Sequence, residues 1–261
     1  MGLWESSSPR KRRWAWSEMV GGGVEIEGLE PYILGPEQLA DKLITRIPLT
    51  QTFMLIEAGQ WNNHVPLPSI HLDLPPLPEI KCDFLIGYSE SAFNPVQRGA
   101  IDRLTDGQGR NHARPCSSLL FPFFCVEFES RHSELSTAEY KVAHAGAVVG
   151  RGLAELTRRT SGSGDLARDY KEIQFFSLVT HEDVAYMHVH WVHVHHPNEG
   201  EAEEPHFEKA VQEMYTLSLP EDQRRIDHDI VKILDWAQGE RLEAIRRQLD
   251  GLRETGGDAR K

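Results

Sequence analysis

The sequence predicts an α/β protein, a single domain with a mixed central sheet flanked by helices and closed by C-terminal helices. Three observations carry that prediction. Leu119–Glu129 (LLFPFFCVEFE) is a nearly continuous apolar run of strand length, the pattern of a central strand buried on both faces. Ala138, Val142, Ala145, Val149, Leu153 and Leu156 then recur at steps of three and four, the period of one helix face. Two more strand signals, Ile173–Val179 and Val184–Val194, follow around a Thr180–Asp183 turn and read as a hairpin. Strands interleaved with helices imply layers packed around one core.

The elements follow in order. Residues 1–30 read as a flexible tail, with Ser6–Pro9, the basic run Arg10–Arg13 and Gly21–Gly23, too poor in apolar surface to offset ordering entropy. Its basic run suits nuclear import or a phosphate-contacting arm, and equally a solvated tail. Pro36–Ile47 is a helical candidate, with Leu39, Leu43, Ile44 and Ile47 in register and Pro36 in the first turn. Thr52–Glu57 fits a short strand or a continuation of that helix, and Pro66–Pro78, with five prolines, an extended connection. Ile80–Tyr88 reads as a strand. Asn94–Arg114 is mostly polar loop around a short helix. Pro122 belongs near the start of the 119–129 strand or at a bulge. Ser136 and Glu139 form an S-x-x-E capping box for the helix that follows. Arg158–Arg168 reads as a loop and Asn198–Pro205 as an acidic one. Ile226, Ile230, Ile233, Leu234 and Ala237 mark one C-terminal helix; Gly239 interrupts it, and Leu242, Ile245, Leu249 and Leu252 mark a second. The domain is expected to span residues 31–255, with a frayed end over 256–261.

Composition narrows the function. With 28 Lys and Arg against 40 Asp and Glu in 261 residues, the net charge of −12 excludes a uniformly basic nucleic-acid coat but not a local basic patch. Three cysteines do not make a disulfide scaffold and suit a reducing compartment, so an intracellular place, cytoplasmic or nuclear, is expected. No apolar run approaches the roughly 18–20 residues of a membrane span.

Two constellations carry chemistry. Residues i and i+2 of a strand share a face, so Cys125, Glu127 and Glu129 project together. Asp83 interrupts the preceding apolar strand. If the two strands are neighbours, three carboxylates converge, and clustered oxygens are what Mg²⁺ or Mn²⁺ requires. The alternative is that the glutamates lie at a strand end, solvated or paired with Arg131 or Arg151. The second constellation is the tract Met187–His196 (MHVHWVHVHH). His188 and His190 share one face, and His193 and His195 the other unless a bulge near Trp191 and Val192 resets the phase. Alternate histidines suit Zn²⁺, Ni²⁺ or Cu²⁺, or simply the polar face of an amphipathic strand. Cys82 and Cys125 lie in apolar strands, where a thiol is an inert small hydrophobe.

The strings IKCDFLIGYSESAF at 80–93, FPFFCVEFES at 121–130, AEYKVAHAGAVV at 138–149, QFFSLV at 174–179 and IVKILDWAQGERLEAIRRQLDGL at 230–252 resemble a fungal family of uncharacterised proteins with a PD-(D/E)XK nuclease-like core. The resemblance covers residues 36–253. It implies a restriction-endonuclease-like fold in the order α-β-β-β-α-β. It further implies that Asp83 and Glu127 hold a Mg²⁺ or Mn²⁺ that activates water against a phosphodiester, with a lysine at position 129. Here position 129 is Glu, whose charge repels a phosphate. The resemblance offers Lys141, on the following helix, as a migrated replacement.

Three functions are compatible with these residues. One is a metal-dependent phosphodiesterase on nucleic acid, with Glu127, Glu129 and Lys141 catalytic. Another is a degenerate member that binds without catalysis. The third is an enzyme on a small-molecule substrate, with His188, His190 and Glu127 as acid–base groups.

Overall fold

The computed structural model describes residues 52–61, 80–116, 119–129, 134–160, 173–195 and 204–255. The expected tail at 1–30, the helix at Pro36–Ile47, the proline-rich connection and the end at 256–261 lie outside these residues. The described elements are β1 (Phe53–Gln60), β2 (Lys81–Tyr88), α1 (Pro95–Asp102), β3 (Leu120–Glu129), α2 (Leu135–Thr160), β4 (Ile173–His181), β5 (Val184–His195), β6 (Glu204–Thr216), α3 (Pro220–Trp236) and α4 (Leu242–Thr255).

The strands form one mixed sheet in the order β1-β2-β3-β4-β5-β6. All neighbours are antiparallel except β3 and β4, which are parallel. That exception follows from α2. A parallel pair needs a long crossover, and α2 carries the chain from the end of β3 back to the start of β4. The apolar run of β3 is accordingly central, with β2 on one side and β4 on the other, and is buried from Leu120 to Glu127. The ambiguous 52–57 stretch is a strand, because it pairs along β2 from Phe53 opposite Tyr88.

Alternate residues of β4 point to opposite layers. Ser177 meets His190 on the side of α2, whereas Phe176 packs edge-on against Trp236 of α3, the ring centroids 5.3 Å apart. The six apolar positions expected on one face of α2 are all buried. Close approach of α2 to the sheet depends on glycine: a Cβ on Gly146 would lie 2.2 Å from His190 Nδ1, and one on Gly150 would lie 2.8 Å from Val192 Cγ2.

Several expectations need correction. Ser136 and Glu139 do not form a capping box: α2 already begins at Leu135, and Ser136 Oγ donates to Glu134 at 3.2 Å. Glu139 instead turns toward β5 and β6. Arg158 and Arg159 belong to the last turn of α2, not to a loop, because Glu155 one turn earlier pairs with both guanidinium groups. The acidic loop expected over Asn198–Pro205 gives way at Glu204 to β6 (Glu204–Thr216), an edge strand of the sheet for which no element was predicted. In β5 the run from Val184 to His195 is unbroken; the irregularities lie at Ile173/Phe175 of β4 and at the β6 residues facing Met187 and His188.

The entry to β3 is strained and clamped. Phe121 has φ 42, a left-handed conformation costly for an aromatic residue. Arg241 answers it from a turn of π-helix (Ala237–Arg241) between α3 and α4. The buried guanidinium donates to Phe121 O at 3.1 Å and Pro122 O at 2.9 Å, and lies over the rings of Tyr88, Phe123 and Trp236. Among the described residues, no helix is long and apolar enough to cross a membrane.

Candidate functional site

Glu127 enters the core because β3 is apolar up to it and β4 continues alongside, with Val179 its partner in the ladder. Only 2% of the residue is exposed. Glu129, two residues on, is half-buried at the strand end. Asp83 joins them from β2: its Oδ2 accepts the Phe128 main-chain N–H at 2.7 Å. Lys141, in the second turn of α2, reaches back so that its Nζ contacts Glu127 Oε1. Glu127 Oε2 is buried and accepts no hydrogen bond from any described residue.

The charge balance of this group decides its protonation. Burial pushes the Glu127 carboxyl up to about 7. The Lys141 contact opposes that push, and the charges of Asp83 and Glu129 add to it. Burial also works against the charge on Lys141, but the Glu127 contact and the fields of Glu127, Glu129 and Asp83 outweigh it and hold the amine above its usual range. One firmly charged lysine therefore serves three carboxylates, and the most buried of these titrates near neutrality.

A second polar group lies under the first turns of α2. Glu139 Oε2 pairs with Lys209 Nζ of β6, and its Oε1 is 3.0 Å from His188 Nε2 of β5. That last contact is close but lacks hydrogen-bond direction, and among the described residues neither ring nitrogen of the fully buried His188 makes a well-formed hydrogen bond, although the Ser177 main chain opposite lies near enough to favour its charged form. His190 Nε2 is 2.9 Å from Ser177 Oγ. Burial pulls His188 down to about 4. Burial, then the neighbouring His188, pull His190 down to about 3, so both rings are neutral at physiological pH. Burial also lowers Lys209 to about 8.

The expected residues therefore separate. Asp83, Glu127, Glu129 and Lys141 come together. His188 and His190 join Glu139, Lys209 and Ser177, which the sequence reading missed. The missed signals were slight: Glu139 stands two residues before Lys141, and Lys209 sits in a segment with no apolar alternation. His193 and His195 lie in the last residues of β5, and their side chains fall outside the described residues. The three cysteines are buried and unbridged. Burial, and then the neighbouring Cys82, push the Cys125 thiol well up, which keeps it unreactive. Among the described residues no three His, Cys, Asp or Glu side chains stand close enough to hold a metal by themselves.

One family model, described as a domain of unknown function (DUF7924), matches residues 39–249. No curated protein and no solved structure matches the chain.

Proposed function

We propose that this chain, which belongs to the DUF7924 family, is a metal-dependent phosphodiesterase on nucleic acid, built on a restriction-endonuclease-like core in which Lys141 of α2 replaces the lysine displaced by Glu129. The observation that carries this reading is Lys141 seated on Glu127, with the charges of Asp83 and Glu129 acting on the same pair. The order β1-β2-α1-β3-α2-β4 supports it, since apart from the short α1 it follows the expected series after its first helix.

The donor set suits a hard divalent cation. Glu127 Oε2 is a buried carboxylate oxygen with no hydrogen-bond partner among the described residues, and negative charge exceeds positive around it. Mg²⁺ commonly takes only one or two protein carboxylates and fills its other positions with water and phosphate. Asp83 and Glu127 would be those two ligands. Bound there, Mg²⁺ or Mn²⁺ would polarise the phosphate and acidify the attacking water. Lys141 supplies positive charge that a pentacovalent phosphate needs. Glu129, half-exposed at the rim, takes the proton that the attacking water loses.

The test is cleavage of labelled DNA and RNA with Mg²⁺ or Mn²⁺, abolished by Glu127→Ala and by Lys141→Met. A folded chain that cleaves neither polymer with either metal sinks the reading. A second reading, a degenerate binding protein, draws on the same ion pair, because Lys141 already satisfies Glu127 Oε1. Site-specific Mg²⁺ binding by calorimetry, lost in Asp83→Ala, counts against it.

A further inference from the structure

The histidines at the far end of β5 stand apart from both polar groups. Val192 and its ladder partner Phe207 both crowd Gly150 of α2, which sets them on the α2 face of the sheet. The neighbouring pair in the ladder is His193 opposite His206, and two residues further on His195 stands opposite Glu204. Successive residues of a strand alternate between faces, so these four positions share the face turned away from α2. His206 is exposed there.

The four positions make a two-by-two array. Directly opposed residues of an antiparallel pair lie about 5 Å apart, and alternate residues of one strand about 7 Å. Imidazoles so spaced can meet at one ion with metal–nitrogen bonds of about 2 Å. In the sequence, His193 and His195 alone lack a third donor; the register of β6 brings His206 and Glu204 beside them. Three imidazoles and one carboxylate are a donor set for Zn²⁺ and its borderline neighbours, whereas Mg²⁺ takes oxygen. The array is also remote from the carboxylate–lysine group. Glu127 is level with Val179 and, across it, with Tyr186; His193 lies seven residues further along β5, about 24 Å. Among the described residues β4 reaches only as far as Trp191 at this end, so β5 and β6 run on past it as a two-stranded ribbon.

We propose that His193, His195 and His206, with Glu204 as the fourth donor, bind one Zn²⁺ ion on the β5–β6 ribbon. Four protein donors leave no position for substrate, so the site is structural. The ion ties two strands whose connection runs over residues 196–203, and it holds the end of the ribbon in register. The site is independent of the phosphodiesterase reading and takes a different class of metal.

The experiment is calorimetric titration of the full chain with Zn²⁺ in buffer containing excess Mg²⁺. One Zn²⁺ per chain is expected, and saturating Zn²⁺ should raise the melting midpoint, since it binds the folded form. His193→Ala and His206→Ala are each expected to weaken Zn²⁺ at least tenfold, and Glu204→Gln to weaken it less. Equal metal-free melting midpoints of wild type and His206→Ala separate loss of a ligand from loss of the fold, and Co²⁺ in place of Zn²⁺ should give the visible absorption of a tetrahedral site, abolished in both histidine variants. Asp83→Ala should leave Zn²⁺ binding unchanged. A chain that binds no Zn²⁺ beside Mg²⁺ overturns the inference. So does Zn²⁺ binding that survives His193→Ala and His206→Ala, because it then belongs to others of the 13 histidines. Zn²⁺ binding lost in Asp83→Ala overturns it as well, by placing the ion at the carboxylates. Absence of nucleic-acid cleavage, with Zn²⁺ bound as expected, counts against the phosphodiesterase reading alone.

Discussion

Asp83 Oδ2 accepts the main-chain N–H of Phe128 at 2.7 Å, so a carboxylate of β2 is tied to the backbone between the two glutamates of β3. The bond places charge as well as structure, because Asp83 is then one of the groups that raise Glu127. Asn at this position keeps an acceptor and loses the charge. Asp83→Asn is expected to melt within about 0.5 kcal/mol of wild type, as at a site that keeps its hydrogen bond. It should cut metal-dependent cleavage at least tenfold, as loss of a ligand does at many metal sites. Asp83→Ala adds the loss of the bond, about 1 kcal/mol. Thermal melts beside initial rates check both.

Glu127 gives the chain a pH dependence of defined sign. Its folded value of about 7 lies above its ordinary 4.5, so folding favours the protonated form. The stabilisation is complete below about 4.5 and is lost as pH rises through about 7. Glu127→Gln cannot titrate. Measured in EDTA, the stability of the Gln variant relative to wild type is expected to rise between pH 5 and pH 8, on the order of 1–3 kcal/mol. A gap that stays constant or narrows over that range contradicts the assignment.

Gly146 and His190 are coupled sterically. Gly146→Ala places a methyl where the His190 ring stands, 2.2 Å from Nδ1, and is expected to cost about 1–3 kcal/mol as overpacking does. His190→Ala costs on its own by opening a cavity and leaving Ser177 Oγ without its partner. In the double variant the methyl enters the space the ring vacated, so its destabilisation should be less than the sum. A denaturant-melt cycle with additive energies would rule out the contact.

Arg241 is expected to resist conservative replacement. Its two terminal nitrogens serve two successive carbonyls, and a lysine reaches only one of them with a point charge. Arg241→Ala should destabilise by about 3 kcal/mol or more, from two charge-assisted hydrogen bonds lost in a buried place. Arg241→Lys should recover less than half of that, as read from urea midpoints.

The sheet centre and the long helix were legible in the sequence because burial on both faces writes an unbroken apolar run and burial on one helix face writes a 3.6 period. Glu127 was legible for the same reason: a charge after seven buried residues has to be accounted for. β6 was not legible. As an edge strand it meets solvent along much of its length, so Glu208, Lys209 and Gln212 interrupt any alternation. With β6 unseen, Lys209 had no address, and the partner of Glu139 could not be named. The S-x-x-E spacing at Ser136 misled because the same two residue types serve equally in a first helical turn, where Glu139 finds partners from β5 and β6.

The clamp on β3 also bears on the order in which the chain becomes a protein. Arg241 meets carbonyls 120 residues earlier, and Tyr88 donates to the Ala237 carbonyl across 149. Contacts of such separation form late, after the loop between them has been closed. The middle of the sheet, synthesised first, must therefore wait for the last fifth of the chain before its strained entry is secured. During that interval the apolar side of β3 and β4 awaiting Trp236 is open, and a ribosome-bound chain would present it to chaperones until the final helices emerge.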